Sequence, residues 1–342
     1  MIERARLVRA GWDAPLEYER VAAARSVLDP EHVRVEVEAC GVCHRDLLDR
    51  EGRFPFIRLP VTPGHEAVGR VVEVGARVSG LVAGQRVATM HRDACGECPA
   101  CSSGEASLCA SAAWVLGLLA DGGYASELVA PASALYPTSD ALAPAAAAVL
   151  HCTFGTAYRD LITLGHLRAG ERILVTGANG GVGSAAIAIA VRLGARVVAV
   201  VRHARHADFV SRLGAQEVLV DDTGTFHERV DPVDLALDTV GAPAFLPALR
   251  ALQIGGRLVV VGNVLAQKVA LNLGFVITRG LTIIGGSGAT RPEMSAVLAM
   301  HAAEPFEFPV AGVLPLARAD EAQRRVKAGG LQGRLVLVPG VH

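Results

Sequence analysis

Hydrophobic and polar residues alternate along the first third of the chain in the way that half-buried strands require. The alternation is clearest over residues 32–38, where valine recurs at every second position, and a similar β-rich stretch follows at residues 68–74. Gly75 and Gly80 mark turns after these stretches. The pattern predicts a β-rich N-terminal domain.

From about residue 170 the pattern changes to short apolar runs separated by helical segments. Strands that alternate with helices are typical of a doubly wound parallel sheet, so we expect an α/β Rossmann domain here. The six predicted strands occupy residues 172–176, 196–201, 217–220, 234–238, 257–262 and 281–285.

A glycine-rich loop joins the first of these strands to a helix. Glycine lets the backbone approach a pyrophosphate closely, and a helix N-terminus favours its negative charge. This context predicts a dinucleotide site rather than a simple tight turn. The predicted contacts are Gly177, Asn179, Gly180, Gly181, Val182 and Gly183 in the loop, with Gly262 and Asn263 at the end of the fifth strand.

The end of the second strand predicts which nicotinamide cofactor is used. Sites for NAD usually carry an acidic residue there, which binds the ribose hydroxyls. This chain has Val201 at that point, followed by Arg202 and His203. A missing carboxylate beside a guanidinium favours a 2′-phosphate, and therefore NADP(H) over NAD(H).

Length and charge narrow the class of protein. The chain has 342 residues, which fits two domains, and its 33 Lys+Arg against 34 Asp+Glu give a net charge of −1. No basic excess supports nucleic-acid binding. The sequence also lacks a run of about 20 apolar residues and an apolar signal core, so we expect no membrane partner and a cytoplasmic location.

Four of the seven cysteines lie within fifteen residues. Four thiolates at such spacing can close a tetrahedral zinc site with no open position, which would be structural. An iron–sulfur cluster or redox pairs are the alternatives. The predicted ligands are Cys95, Cys98, Cys101 and Cys109.

A second set of residues carries a family resemblance. The segment Gly64-His65-Glu66, with its following glycines, and the segment from Cys40 to Asp46 resemble two zinc-ligand signatures. Together with the four-cysteine lobe, residues 121–125 and the glycine loop, they identify the chain as similar to the zinc-containing alcohol dehydrogenase branch of the medium-chain dehydrogenase/reductase superfamily. A narrower likeness, at residues 43–46 and 287–291, is to zinc-type acryloyl-CoA reductases.

The resemblance implies a catalytic zinc in addition to the structural one. Cys43, His65 and Cys152 match its ligands, Glu66 matches a carboxylate near the metal, and Asp46 matches the residue that orients the histidine. Such a site leaves a position open for a substrate oxygen.

The resemblance also implies further cofactor contacts and an architecture. His44 would lie near a cofactor phosphate, Thr156 near the nicotinamide and Arg334 near the pyrophosphate. Residues 1–152 and 290–342 would form a GroES-like catalytic domain, and residues 153–289 the Rossmann domain. Relatives are dimers or tetramers, so we expect a homodimer or homotetramer, with residues 281–285 pairing across a two-fold axis.

Position 45 departs from the ordinary alcohol dehydrogenases. They carry Ser or Thr there as a proton relay, often towards a histidine three positions further on, whereas this chain has Arg45 and Leu48. A guanidinium is effectively always protonated and cannot serve as a hydroxyl relay. His91 is a candidate proton donor, or alternatively a pocket-wall histidine.

Three functions follow from these residues. The first is hydride transfer between NADP(H) and a small alcohol or carbonyl substrate held at zinc. The second is reduction of a carbon–carbon double bond conjugated to a carbonyl, with Arg45 holding part of the substrate. The third is a dinucleotide-binding protein that has lost catalysis.

Overall fold

The chain divides into two compact units in a computed structural model, which describes residues 1–23, 27–111 and 114–340. Unit 1 comprises Met1–Cys152 and Val310–His342, and unit 2 comprises Thr153–Pro309. No helix within these described ranges is long and apolar enough to cross a bilayer.

The strands are numbered along the chain. Those of the described residues are β1 (Ile2–Arg6), β2 (Glu17–Val21), β3 (His32–Val42), β4 (Glu66–Val74), β5 (Arg86–Thr89), β6 (Glu127–Pro131), β7 (Leu135–Pro137), β8 (Arg172–Val175), β9 (Arg196–Val201), β10 (Glu217–Val220), β11 (Val233–Asp238), β12 (Leu252–Val260), β13 (Thr282–Gly285), β14 (Val310–Pro315) and β15 (Arg334–Val338).

The α-helical segments are numbered in the same way. They are α1 (His44–Arg50), α2 (Pro99–Ser102), α3 (Pro144–Ala148), α4 (Thr156–Tyr158), α5 (Gly181–Arg192), α6 (Ala207–Arg212), α7 (Ala242–Arg250), α8 (Leu273–Arg279), α9 (Arg291–Ala303) and α10 (Ala319–Ala328). Two π-helical segments, Leu150–Gly155 and Arg159–Leu164, flank α4.

Unit 1 is built on a mixed sheet of seven strands in the order β14-β15-β3-β4-β5-β7, with β6 also paired to β3. The pairs are antiparallel except β14 with β15. Val33, Val35 and Val37 of β3 are buried in the core. The alternation over residues 32–38 therefore arises from a core strand, and the predicted β-rich domain is confirmed.

Unit 2 contains a parallel sheet of six strands in the order β10-β9-β8-β11-β12-β13. Numbered within the unit this is 3-2-1-4-5-6, the Rossmann order, so the predicted fold is confirmed. The fifth strand begins at Leu252, before the predicted residue 257, because the glycines at its irregular start hide it from an apolar pattern.

The chain returns to unit 1 at Val310 and not near residue 290 as expected. The reason is that α9 packs within unit 2. Met294 is buried against Gly155, where a Cβ would lie only 2.4 Å from the methionine sulfur, and Glu293 pairs with Arg159 at 2.8 Å. A sequence pattern does not reveal such a packing partner.

Candidate active site

Three neighbouring strands of unit 1 bring the predicted catalytic ligands together. In the pairing of β3 with β4, Gly41 faces Glu66, so Cys43 after β3 lies near His65 before β4. The pairing of β15 with β3 sets Leu335 opposite Val42 and thus places Arg334 at the same end. A Cβ at Gly41 would lie 2.2 Å from Glu66 Oε2, so only glycine leaves room for this carboxylate.

Ligand atoms of Cys43, His65, Glu66 and Cys152 all lie within 4.8 Å of one another. The Sγ atoms of Cys43 and Cys152 are 3.8 Å apart, and Cys152 Sγ lies 3.4 Å from His65 Nε2. Cys152 comes from the π-helical segment Leu150–Gly155, a kind of segment that is frequent at functional sites.

Asp46 fixes the orientation of His65. Its Oδ1 lies 2.8 Å from His65 Nδ1, while its Oδ2 accepts hydrogen bonds from the Cys43 backbone N–H at 2.9 Å and the Tyr124 hydroxyl at 3.0 Å. Burial and Arg45 oppose the imidazolium, but Asp46 outweighs them and raises the pKa of His65 to about 10. The carboxylate thus directs Nε2 towards the thiols.

Glu66 is fully buried, and its main charged partner is Arg334. Arg334 Nη2 lies 3.2 Å from Glu66 Oε1 and 4.0 Å from Cys152 Sγ. Neither oxygen of Glu66 has a hydrogen-bond partner within the described residues. Burial raises the pKa of Glu66 to about 7 although Arg334 opposes the shift.

This group of residues fits a zinc ion. A hydrogen bond from Cys152 and the charge of Arg334 hold the pKa of Cys43 well below its usual range. Thiolate, imidazole and carboxylate are zinc ligands, and a buried carboxylate without hydrogen bonds is suited to approach a cation.

The four cysteines of the second predicted site also converge. The Sγ–Sγ distances are 3.9 Å for Cys95–Cys101, 3.5 Å for Cys98–Cys101, 3.9 Å for Cys98–Cys109 and 3.6 Å for Cys95–Cys109. A tetrahedral zinc with Zn–S bonds of about 2.3 Å has sulfur–sulfur edges of about 3.8 Å. The lobe therefore fits a closed zinc site. Cys40 belongs to neither group and is buried in the core of unit 1.

Arg45 is held by two groups that the sequence did not single out as functional. Its Nη2 donates to the Leu116 carbonyl at 2.7 Å and lies 3.1 Å from Asp49 Oδ2. The Asp49 carboxylate is buried, with no hydrogen bond within the described part of the chain. Burial raises the pKa of Asp49 to about 7, and Arg45 opposes the shift.

His91 lies beside a second histidine. Its Nδ1 is 3.4 Å from Nε2 of His151, the residue that precedes Cys152. Burial, and then the charges of His151 and Arg92, hold the pKa of His91 well below its usual range. His91 is therefore neutral at physiological pH.

The glycine loop of unit 2 joins β8 to α5, whose first residue is Gly181. A Cβ at Gly183 would lie 2.4 Å from the Gly177 carbonyl oxygen, so the close packing of helix on loop requires glycine there. Asn179 and Val182 belong to the same loop and helix start, and Gly262 and Asn263 directly follow β12.

Basic residues follow the second strand of the Rossmann sheet. Val201 ends β9 and is buried, whereas Arg202 is exposed, with its Nε 3.2 Å from His203 Nε2. Arg205 lies beside His206 in the same turn, at 3.3 Å. Arg202 and Arg205 are thus both exposed in the turn that follows β9, whereas His206 is buried.

Two further predicted cofactor residues lie in separate units. His44 begins α1 in unit 1, and Thr156 begins α4 in unit 2. The contacts of His44 and Thr156 with a cofactor stay predictions, as does the contact of Arg334 with a pyrophosphate.

Comparison with known proteins gives the family. Residues 29–140 match the family described as the alcohol dehydrogenase GroES-like domain, and residues 181–303 match the zinc-binding dehydrogenase family. An acryloyl-coenzyme A reductase of Metallosphaera sedula is 34% identical over 318 residues, which are 92% of this chain and 95% of the relative. The chain belongs to the zinc-type medium-chain dehydrogenases/reductases. Its predicted GroES-like and Rossmann folds are confirmed, and it is an oxidoreductase.

Other members of this dehydrogenase/reductase family are similar over nearly the same length. An alcohol dehydrogenase of Geobacillus stearothermophilus is 34% identical over 320 residues, 92% of this chain and 93% of the relative. A solved structure titled NAD-dependent alcohol dehydrogenase has a TM-score of 0.91 at 29% identity, covering 99% of this chain and all of that one.

Sequence reasoning missed three residues of this dehydrogenase/reductase. Asp49 lies four residues after Arg45, a spacing that pairs charges on a helix and could have revealed it. Tyr124 and His151 lie far along the chain from the groups that they contact, Asp46 and His91. No local signal predicts such contacts.

Proposed function

We propose that this oxidoreductase is zinc-dependent and transfers hydride between NADP(H) and a small alcohol or carbonyl substrate. The observation that carries the proposal is the convergence of Cys43, His65 and Cys152, with Asp46 bound to the far nitrogen of the histidine. This arrangement corresponds to a catalytic zinc site with three protein ligands and a nearby carboxylate.

The proposal includes two zinc ions per chain. Cys43, His65 and Cys152 would hold the catalytic ion, with Glu66 close by, and the four-cysteine lobe would hold the structural one. When bound, a catalytic zinc polarises a carbonyl oxygen as a Lewis acid. Arg334 offsets the charge of Glu66 and the thiolates, which limits the cost of burying them.

Reduction of a carbonyl adds hydride to carbon and a proton to oxygen, while NADPH becomes NADP⁺. Arg45 has no proton to give, because a guanidinium does not lose one under these conditions, and Leu48 has none. We assign the proton-passing role to His91, which is neutral and lies 3.4 Å from His151. A neutral imidazole has one donor and one acceptor nitrogen and can pass a proton through.

A preference for NADP(H) is supported by the turn after β9. Val201 offers no carboxylate to the ribose hydroxyls, and the exposed Arg202 offers a guanidinium suited to a phosphate. We expect Arg202→Ala to raise the KM for NADPH at least tenfold and to leave the KM for NADH unchanged. Arg212→Ala, which removes an exposed arginine in α6, is the control. Equal use of both cofactors by the unmodified enzyme would contradict the preference.

A second candidate function is reduction of a double bond conjugated to a carbonyl, as in an enoyl thioester. The specific observation is Arg45, held by Asp49 and the Leu116 carbonyl in place of a hydroxyl relay. In this reaction hydride adds to the β-carbon, the π electrons move to the carbonyl oxygen, and solvent protonates the α-carbon. No relay to oxygen is needed, and a guanidinium stabilises the enolate. The Metallosphaera sedula relative named acryloyl-coenzyme A reductase is consistent with this candidate.

The test is oxidation of NADPH by the zinc-loaded protein with saturated aldehydes, enals, enones and short enoyl thioesters, with products identified by mass spectrometry. Alcohols formed from saturated aldehydes would support the first function. Saturated acyl products from enoyl thioesters, with plain aldehydes unchanged, would overturn it in favour of the second.

Three further expectations belong to the proposal. The substrate is a small molecule, the chain forms a homodimer or homotetramer, and the protein works in the cytoplasm. β13 lies at the edge of its sheet, as pairing with a second copy requires. Sedimentation of the purified protein tests the oligomeric state.

A further inference from the structure

A polar network in unit 2 lies beneath the loop that follows β13, and the proposed hydride transfer does not use it. The network joins Arg159 and Asp160, in the π-helical segment Arg159–Leu164, to Ser287 and to Glu293 near the start of α9. Arg159, Asp160 and Glu293 are all buried. Burying charged groups costs folding free energy. We therefore ask which segments of the chain these buried groups hold in place.

The network fixes Ser287 twice from one helical segment. Asp160 Oδ1 accepts a hydrogen bond from the Ser287 backbone N–H at 3.1 Å, and Arg159 Nε donates to Ser287 Oγ at 2.8 Å. Both the backbone and the side chain of this loop residue are therefore set by neighbouring residues of the helix.

Glu293 fixes the other end of the same loop. Its Oε2 accepts hydrogen bonds from the Thr290 backbone N–H at 2.6 Å and the Thr290 hydroxyl at 2.8 Å. Its Oε1 accepts from Arg159 at 2.8 Å and from Thr163 at 2.7 Å. Residues 286–290 are thus held at both ends by a single connected network.

Gly286 lies directly on Asp160. A Cβ at this position would be 2.8 Å and 2.9 Å from the two carboxylate oxygens and 2.8 Å from Val261 Cβ. Asp160 Oδ2 is buried with no hydrogen-bond partner among the described residues, and burial raises the pKa of this carboxyl well above its usual range. Asp160 therefore acts on the loop through its close packing against Gly286 and its one hydrogen bond to Ser287.

The position of the loop in the sheet indicates which part of the cofactor it faces. Ligands of a Rossmann sheet bind along the carboxyl ends of the strands, with the pyrophosphate at the glycine loop after the first strand. The basic turn after β9 lies on one side of that loop and suits the adenosine phosphate. The nicotinamide half must extend to the other side, over β11, β12 and β13. The Gly286 N–H donates to the Val260 carbonyl at 2.8 Å, so the loop lies at this end.

We propose that Asp160 and Arg159 are positioning residues that hold residues 286–288 so that the loop backbone receives the nicotinamide carboxamide. The inference rests on the proposed dinucleotide function. A primary carboxamide offers two donors and one acceptor, which a backbone segment can match only when it is held in one conformation.

The test compares the binding of whole and partial cofactors to the full-length protein. Dissociation constants are measured for NADP⁺, for its 3-acetylpyridine analogue, which lacks the amide donors, and for adenosine 2′,5′-bisphosphate, which lacks the nicotinamide. We expect Asp160→Ala to weaken NADP⁺ about tenfold and to erase the preference for NADP⁺ over the analogue. The bisphosphate should change less than twofold.

Two matched pairs of variants separate positioning from general damage. Asp160→Asn keeps the oxygen that accepts from Ser287 and should bind close to the unmodified protein. Gly286→Ala pushes a Cβ into Asp160 and should reproduce the Asp160→Ala result. Gly285→Ala, in β13, places its Cβ where nothing lies within 4 Å. This variant should leave all three dissociation constants unchanged.

The possible outcomes test the inference separately from the proposed dinucleotide function on which it rests. If the unmodified protein binds neither NADP⁺ nor NAD⁺, the proposed function fails and the inference with it. If NAD⁺ is the better ligand, the series is run with NAD⁺, its 3-acetylpyridine analogue and ADP. If the unmodified protein binds the dinucleotide but Asp160→Ala and Gly286→Ala weaken all three ligands equally, or none, the inference alone is overturned.

Discussion

At the scale of single residues, the site depends on side chains that hold other side chains. Asp46 sets the direction of the His65 ring, Arg334 offsets the charge of Glu66, and Asp49 holds Arg45. Asp46, Arg334 and Asp49 are all buried, so each restricts the rotation of the side chain that it contacts before a substrate binds. The orientation of the site therefore depends on buried side chains that hold other side chains in place.

Replacing Arg45 tests why this position lacks a hydroxyl. In an Asp49→Asn background, which avoids leaving a buried carboxylate without its partner, Arg45→Ser supplies a hydroxyl that can relay a proton to a substrate oxygen. We expect the ratio of kcat/KM for saturated aldehydes to that for enoyl thioesters to rise about tenfold, a change of about 1.4 kcal/mol. Arg45→Ala in the same background lacks the hydroxyl and is the control. Identical behaviour of the two variants would exclude the relay.

Asp49 makes the stability of the folded protein depend on pH, and the burial of its carboxyl fixes the sign of that dependence. Its pKa in the folded protein is about 7 against 3.8 in an exposed carboxyl, so the folded state binds the proton more tightly. Stability falls as pH rises between these values, by about 4 kcal/mol at most. We expect Asp49→Asn to gain stability relative to the unmodified protein between pH 4 and pH 8, measured by urea unfolding at each pH.

The exposed Asp13 is the control for this measurement. It pairs with Arg9 at the surface, and its pKa is lowered by that hydrogen bond. The curve of Asp13→Asn should run parallel to that of the unmodified protein. A parallel curve for Asp49→Asn as well would show that Asp49 is not destabilised by burial.

At the scale of elements, strand pairing forms one of the two proposed metal sites and a short lobe forms the other. The catalytic group is assembled by β3, β4 and β15, whereas the four cysteines lie on one short segment around α2. Backbone and thiol hydrogen bonds from Cys101 lower the pKa of Cys98 to about 6, so Cys98 is a thiolate at neutral pH. The lobe is therefore prepared to bind a cation without any contribution from distant elements.

The number of zinc ions bound per chain distinguishes the two proposed sites. We expect Cys98→Ser to reduce bound zinc from two ions to one per chain, as measured by mass spectrometry of the metal, and to make the lobe sensitive to protease. Cys43→Ala should remove the other ion together with activity. Cys40→Ala, which alters a cysteine outside both groups, should keep both ions. Loss of both ions from Cys98→Ser would show that the sites are not independent.

At the scale of the whole molecule, a buried arginine connects distant parts of the chain within unit 1. The Arg50 side chain is fully buried and donates to the carbonyls of Gly11 and Ala14, near the N-terminus. It also donates to Asp320 at 2.7 Å and Gln323 at 3.2 Å, both in α10. One guanidinium thus secures the loop between β1 and β2 to a helix more than 300 residues later.

Removing this guanidinium should lower stability well beyond the effect of a surface arginine. Arg50→Met removes the donor to two backbone carbonyls, to Gln323 and to one oxygen of Asp320, and each buried acceptor left without a partner costs about 1–3 kcal/mol. We expect the thermal midpoint to fall by about 10 °C in a unit of this size. Arg53→Met, three residues away and exposed, should change it by less than about 2 °C. Equal shifts would contradict the role assigned to Arg50.

The sequence by itself predicted the fold class, the six Rossmann strands, the four-cysteine group and the glycine loop, and its family resemblance predicted the group of Cys43, His65, Glu66 and Cys152. The strands, the four-cysteine group and the glycine loop are encoded in periodicity and short-range spacing, which local chemistry fixes, whereas the other group was predicted only from the resemblance. Only the tertiary structure decided which distant residues contact one another: Tyr124 on Asp46, His151 beside His91, and Asp160 under Gly286. It also assigned α9 to unit 2, against the expected boundary. Such contacts depend on strand register and on packing between residues far apart in the chain, and no local pattern carries that information.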